Sequence, residues 1–67
     1  MPSITFESGP LTQQVKQQLI TRLTAISADI TGIPKDFFLL SIRELPDENI
    51  AIGGKSVAQI KQELNKK

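Results

Sequence analysis

Histidine and cysteine are both missing from this chain. Without histidine there is no side chain that ordinarily changes charge near neutral pH, and without cysteine there is no strong thiolate nucleophile. The same two absences remove disulfides and leave no His/Cys cluster for a structural metal. A chain of 67 residues buries only about 60% of its unfolded surface. With no disulfide and no metal to staple it, association with other copies is the remaining means of stabilisation. Long apolar runs are missing too. The longest is Phe37-Phe38-Leu39-Leu40, far below the ~18 residues of a membrane span, and the N-terminus lacks the basic-then-apolar pattern of a signal sequence. Charge of one sign is absent: the net charge is +1, with acids and bases interspersed, so neither nucleic acid nor an anionic membrane is implied as partner. Lys66-Lys67 is the one basic cluster and reads as a solvated tail. One domain spanning residues 1–67, placed in the cytoplasm, is the expectation.

What is present begins with Pro2, directly behind the initiator Met1. Removal of Met1 exposes Pro2 as a free secondary amine. An α-amino group titrates near pH ~7.7–8.0, and apolar walls or nearby cations lower that value, so part of it is an uncharged base at neutral pH. From Pro2 to Glu7 the residues alternate, with Ile4 and Phe6 on one face and Ser3, Thr5 and Glu7 on the other, the period of a strand. Ser8-Gly9-Pro10 ends it. Thr12 caps a helix expected to reach Thr31, with an apolar stripe at Val15, Leu19, Leu23, Ile26 and Ile30 and with Gln17, Thr21, Thr24 and Ala28 opposite. Gly32 suits the C-cap and Pro34 forbids continuation, which gives about five turns.

A second strand is expected over Phe37 to Leu45, with Phe38, Leu40 and Ile42 on one face and Phe37, Leu39, Ser41 and Arg43 on the other. The unit is β-α-β, which implies a parallel pair and a right-handed crossover. Leu45 to Asn49 is turn chemistry. Ile50-Ala51-Ile52 is short enough to be an edge strand or hairpin arm, expected to pair with another subunit. Ser56 and Gln59 form a capping-box pattern opening a short helix whose Val57, Ile60 and Leu64 suit docking on a neighbour. The fold class is therefore α+β: a parallel two-stranded unit, one long helix and a short C-terminal hairpin and helix. One helix covers one sheet face, so Phe37, Leu39, Ile50 and Ile52 are expected at subunit contacts.

Two motifs are set aside. Gly53-Gly54-Lys55-Ser56 ends like a P-loop, but the motif's first glycine falls at Asn49, and the default reading is a turn with positive φ at one glycine. Asp47-Glu48 reads as a solvated turn. Glu7 and Glu44, near the two strand ends, suit either a substrate-side acid or ion pairs with Arg43, Lys16 or Lys35.

Met1-Pro2, the alternating Ile4 to Glu7, Gly9, the helix Thr12 to Thr31, the strand Phe37 to Leu45 and Ile52-Gly53-Gly54 follow one another in the order of the 4-oxalocrotonate tautomerase family, which the chain resembles through Ser56. The resemblance implies two β-α-β units joined in a four-stranded sheet and three such dimers in a hexamer. It also implies a cofactor-free isomerase, in which the proline amine removes a proton next to a carbonyl and returns it elsewhere. Two arginines and an aromatic ring complete the family's site. Here those positions hold Pro10 or Leu11, then Leu39, then Ile50. The resemblance thus implies Pro2 as base, an enolisable α-keto acid as substrate, and Leu39, Ile50 and Ile52 at the substrate. Arg43, four residues past Leu39 and on its strand face, is the nearest cation to hold a carboxylate. Two rival expectations stand beside this: a non-catalytic oligomeric scaffold on the same fold, and a dehalogenase- or decarboxylase-type variant.

Overall fold

The computed structural model describes residues 1–65. Strand β1 (Ser3–Ser8) leads into helix α1 (Gln13–Thr31), which returns the chain to strand β2 (Leu39–Glu44). β1 and β2 pair in parallel with Ser3 opposite Leu39 and Glu7 opposite Arg43. Leu39 N–H donates to the Pro2 carbonyl at 3.0 Å at one end of the ladder, and Leu45 N–H to the Ser8 carbonyl at 2.9 Å at the other. Ile4, Phe6, Leu40 and Ile42 are half-buried under α1, while Ser3, Thr5, Leu39, Ser41 and Arg43 stay exposed on the open face. The strand parity expected from the sequence is the observed one.

Local chemistry sets the helix ends. Thr12 takes an extended conformation and its Oγ1 accepts from Val15 N–H at 3.2 Å, satisfying one of the free donors of the first turn. Gly32 adopts φ 74° and donates its N–H to Ala28 O, a left-handed cap that a residue with a Cβ adopts only under strain. The apolar stripe is covered only in part. Leu19 and Leu23 are half-buried, as are Thr24 and Ala28, which were expected on the outer face; Val15, Ile26 and Ile30 are exposed by 43%, 56% and 76%. Two strands lie only about 5 Å apart, too narrow a platform to cover so wide a stripe.

The second strand is shorter than its apolar run. Pro34 (φ −58°) opens a 3-10 turn over Lys35–Phe37, in which Phe37 N–H donates to Pro34 O and Phe38 N–H to Lys35 O, so Phe37 lies outside β2. After β2 a second 3-10 turn, Asp47–Asn49, leads to a hairpin of β3 (Ala51–Ile52) and β4 (Lys55–Ser56). β3 is thus a hairpin arm whose partner belongs to the same chain. Gly53 and Gly54 both have positive φ, 60° and 86°, where one was expected; the two-residue turn here is of type I′, which matches the twist of its strands and requires both. Helix α2 (Val57–Asn65) follows, with Gln59 N–H on Ser56 Oγ at 3.1 Å as the expected cap. Lys61 bridges Asp47 at 2.9 Å, and Lys55 bridges Glu63 at 2.9 Å. The Lys66-Lys67 tail lies outside the described residues.

Hairpin and α2 form an arm that leaves the β-α-β unit at the Ser8/Glu44 end of the sheet. The consequence shows in the dimensions. The radius of gyration is 16.0 Å, with extents of 47 × 23 × 17 Å, against roughly 11 Å for a compact chain of this length. The accessible area is 5361 Å², against roughly 4,200 Å² expected for a compact monomer of this mass. No residue among those described is fully buried. The open sheet face and the inner face of the arm therefore need cover from outside the chain.

Candidate functional site

Pro2 stands at the start of β1, half-buried, its carbonyl held by Leu39 N–H. Met1 ahead of it is 95% exposed. Leu39, at the start of β2 on the open face, is 57% exposed, and Phe37 on the preceding turn 54%. Both are exposed apolar side chains on the stretch of chain that enters the ladder at the Pro2 end. No cavity is enclosed among the described residues, so they are open to solvent within one protomer. An amine at Pro2 would sit at a ladder end where the backbone is hydrogen-bonded, which fixes its position.

The other residues implicated by the sequence lie elsewhere. Arg43 shares the face of Leu39 but stands opposite Glu7, four residues further along β2, which is roughly 13 Å at ~3.3 Å per residue. Its Nη1 is 3.9 Å from Glu7 Oε1 in an exposed pair. Ile50 is half-buried at the root of the arm and Ile52, at the end of β3, is 68% exposed. Since the arm is rooted at the Ser8/Glu44 end, the structure brings Leu39 to Pro2 and leaves Arg43, Ile50 and Ile52 away from it in the same protomer. Parity told which face Arg43 occupies; only the register told how far along that face it sits.

Glu44 is committed to structure. Its carboxylate accepts from Lys16 Nζ at 2.7 Å and from Leu11 N–H at 2.9 Å, so it ties the end of β2 to the start of α1. These contacts, the lysine first and the backbone amide second, hold its pKa below the ordinary carboxylate value of 4.5. Of the two roles open to Glu7 and Glu44, the ion pairs with Arg43 and Lys16 are the ones seen. The sequence offers Lys35 both as an ion-pair partner for them and, with Lys16 and Lys55, as a cation next in line after Arg43 to hold substrate. It stands on the turn that delivers the chain to Leu39, at the Pro2 end. The signal available for this was Pro34, which forces a turn there and makes Lys35 its first residue. No helix among the described residues is long and apolar enough to cross a membrane.

Residues 2–60 match the model of the family described as tautomerase enzyme. A comparison with curated protein sequences finds no match. Among solved structures, TomN, a 4-oxalocrotonate tautomerase homologue of the tomaymycin biosynthetic pathway, is 27% identical with a TM-score of 0.87, covering 91% of this chain and 95% of its own. DmpI from Archaeoglobus fulgidus is 32% identical with a TM-score of 0.78, covering 85% and 98%. A heterohexamer 4-oxalocrotonate tautomerase from Chloroflexus aurantiacus J-10-fl is 32% identical with a TM-score of 0.71, covering 90% and 98%.

Proposed function

Because the chain belongs to the tautomerase family, we propose that it is an isomerase that moves a proton within a small enolisable 2-oxo acid, with the Pro2 amine as general base once Met1 is removed. The observation that carries this reading is the position of Pro2: second in the chain, half-buried, and fixed through its carbonyl at the head of the sheet. With Met1 attached, the Pro2 nitrogen is an amide and has no basicity. Met1 is open to an aminopeptidase at 95% exposure. The freed amine takes a proton from the carbon next to the carbonyl, the C–H electron pair becomes the carbon–carbon double bond of the enolate, and the amine returns the proton at the new position. Leu39, whose N–H donates to the Pro2 carbonyl, stands next to Pro2 in the ladder as an apolar neighbour.

The active assembly is a homo-oligomer, a hexamer built as three dimers. The roughly 1,200 Å² by which the chain exceeds a compact monomer supports an oligomer, since a standard interface covers about 800 Å² on each partner. The heterohexameric relative supports the number. In that assembly Arg43, Ile50 and Ile52 serve a Pro2 of another copy, Arg43 through a carboxylate and the two isoleucines as walls.

The test is the trimmed protein, verified by intact mass, assayed on the enol of phenylpyruvate. Pro2→Ala in the trimmed form replaces a secondary with a primary amine and lowers the rate within the ~10²–10⁴ that general-base catalysis supplies, with the fold intact. Equal rates for trimmed mutant and trimmed wild type remove Pro2 from the mechanism and favour a scaffold on the same fold.

A further inference from the structure

A 2-oxo acid carries a full negative charge on the carboxylate next to its reacting carbonyl, and a cation held at that end binds it whether or not the carbonyl is enolised. The charged side chains can be accounted for one by one. Lys16 is paired with Glu44, Arg43 with Glu7, Lys55 with Glu63 and Lys61 with Asp47. Among the described residues that leaves Arg22 and Lys35 without a carboxylate partner. Arg22 stands midway along α1, away from either end of the sheet. Lys35 opens the turn whose next hydrogen bonds are Phe38 N–H to Lys35 O, 3.0 Å, and Leu39 N–H to Pro2 O, 3.0 Å. Two consecutive backbone contacts therefore connect Lys35 to Pro2 within one protomer.

The turn is also stiff. Pro34 restricts its own φ, and its carbonyl accepts from Phe37 N–H at 3.1 Å, so the backbone of Lys35 is held from both sides. The other charged group on this turn is Asp36. Adjacent positions on a helical turn do not face each other, so Asp36 does not neutralise Lys35. A lysine ammonium on its flexible stem is a point charge able to follow a small anion beside Leu39.

Resting on the reading of Pro2 as base, we propose that Lys35 is a specificity-determining residue of the same site: its ammonium binds the carboxylate of a 2-oxo acid whose α-carbon is worked on by Pro2 of the same protomer. Arg43, by contrast, reaches a Pro2 only across a subunit boundary. Within one protomer the cation at the Pro2 end is then Lys35, and a second one reaches the site only as Arg43 of a neighbouring copy.

The experiment compares trimmed wild type, Lys35→Gln, Lys35→Arg, Arg43→Ala and Pro2→Ala on two probes, the enol of phenylpyruvate and the enol of its methyl ester. Lys35→Gln is expected to lower kcat/KM for the acid by roughly 10- to 150-fold, the scale of a hydrogen bond to a charged group, and to leave the ester within about twofold. Lys35→Arg restores most of the loss. In the pH profile of the ester, where binding is spared, Lys35→Gln moves the acidic limb upward, because a cation near the amine has been removed. Equal loss on acid and ester, or no loss on either while Pro2→Ala remains impaired, overturns the role of Lys35 and leaves the Pro2 reading standing. Selective loss on the acid from Arg43→Ala with none from Lys35→Gln overturns it in favour of a neighbour's arginine. Full activity of Pro2→Ala overturns both readings together.

Discussion

Replacing Leu39 with aspartate puts the need for a covered sheet face to a quantitative test. Leu39 is 57% exposed in the single chain and lies on the face that α1 leaves bare. Fully burying a leucine side chain is worth roughly 1.5–3 kcal/mol, so covering the exposed part contributes about 1–1.7 kcal/mol per copy. Leu39→Ala should therefore weaken association by about five- to twentyfold per contact, and the assembly should survive at higher protein concentration. Leu39→Asp adds an unpaired carboxylate to the same contact at an effective cost of several kcal/mol, more than a thousandfold in the constant. Sedimentation velocity across a micromolar concentration series, with far-UV circular dichroism on the same samples, reads both mass and folding. The expected order is wild type assembled, Leu39→Ala assembled with a shifted midpoint, and Leu39→Asp dissociated with loss of helical signal. Gln18→Asp, an exposed polar site on α1, serves as the charge control and should behave as wild type. A folded wild-type monomer at micromolar concentration, with Leu39→Asp equally folded, would refute the argument from exposed area and with it the assembly.

Two further outcomes follow from contacts described above. The Glu44 carboxylate has its folded pKa lowered by Lys16 and Leu11 N–H, so its stabilising contribution is complete above the unfolded value of 4.5 and is lost as pH falls through the lower folded value. In denaturant melts at fixed protein concentration, Glu44→Gln should be less stable than wild type by a constant margin from neutral pH down to about pH 5, and the margin should shrink below that; a margin that persists at pH 3 contradicts the linkage. Gly54→Ala places a Cβ at φ 86°, where nothing lies within 4 Å to clash, so the penalty is backbone strain alone, about 1–2 kcal/mol. Hydrogen exchange should then speed up in β3 and β4 and stay unchanged in α1, and uniform protection throughout would show that the turn is not strained.

Much of this architecture was legible because local chemistry and global topology agree. Thr12, Gly32 and Pro34 mark the ends of α1 to the residue, and the alternation of Ile4 and Phe6 against Ser3 and Thr5 set the faces of β1 correctly. The failures have physical causes. Phe37 reads as strand by its hydrophobicity, but Pro34 imposes a 3-10 turn that composition does not report. Val15, Ile26 and Ile30 belong to an apolar stripe by periodicity, yet periodicity says nothing of how wide the opposing surface is. The pairing of Ala51 with Ser56 within one chain depends on two consecutive left-handed glycines, where the residues alone guaranteed only a turn. For the site, the sequence placed Leu39 near Pro2 only through the family resemblance; that they are adjacent in one protomer comes from the register, which pairs Ser3 with Leu39. Arg43 shows the limit: side-chain alternation repeats every two residues, and a repeat carries direction without distance. Among Lys16, Lys35 and Lys55, which the sequence offered equally as spare cations, only the structure shows which ones are paired, since that depends on which carboxylates each can reach.

The root of the arm at the end of the sheet away from Pro2 bears on how such a chain diversifies. On the proposed assembly, the residues before and after Gly53-Gly54 in one gene product shape the reaction chamber of a neighbouring copy, while that copy's own arm shapes another. After gene duplication, a change in one paralogue's arm alters the chemistry of sites whose proline is encoded by the other. Neither product then carries a whole phenotype alone, and selection acts on the pair. Mutual dependence between duplicates is thereby available at once, without any change at the proline itself, because the connectivity of the chain separates the two halves of each site.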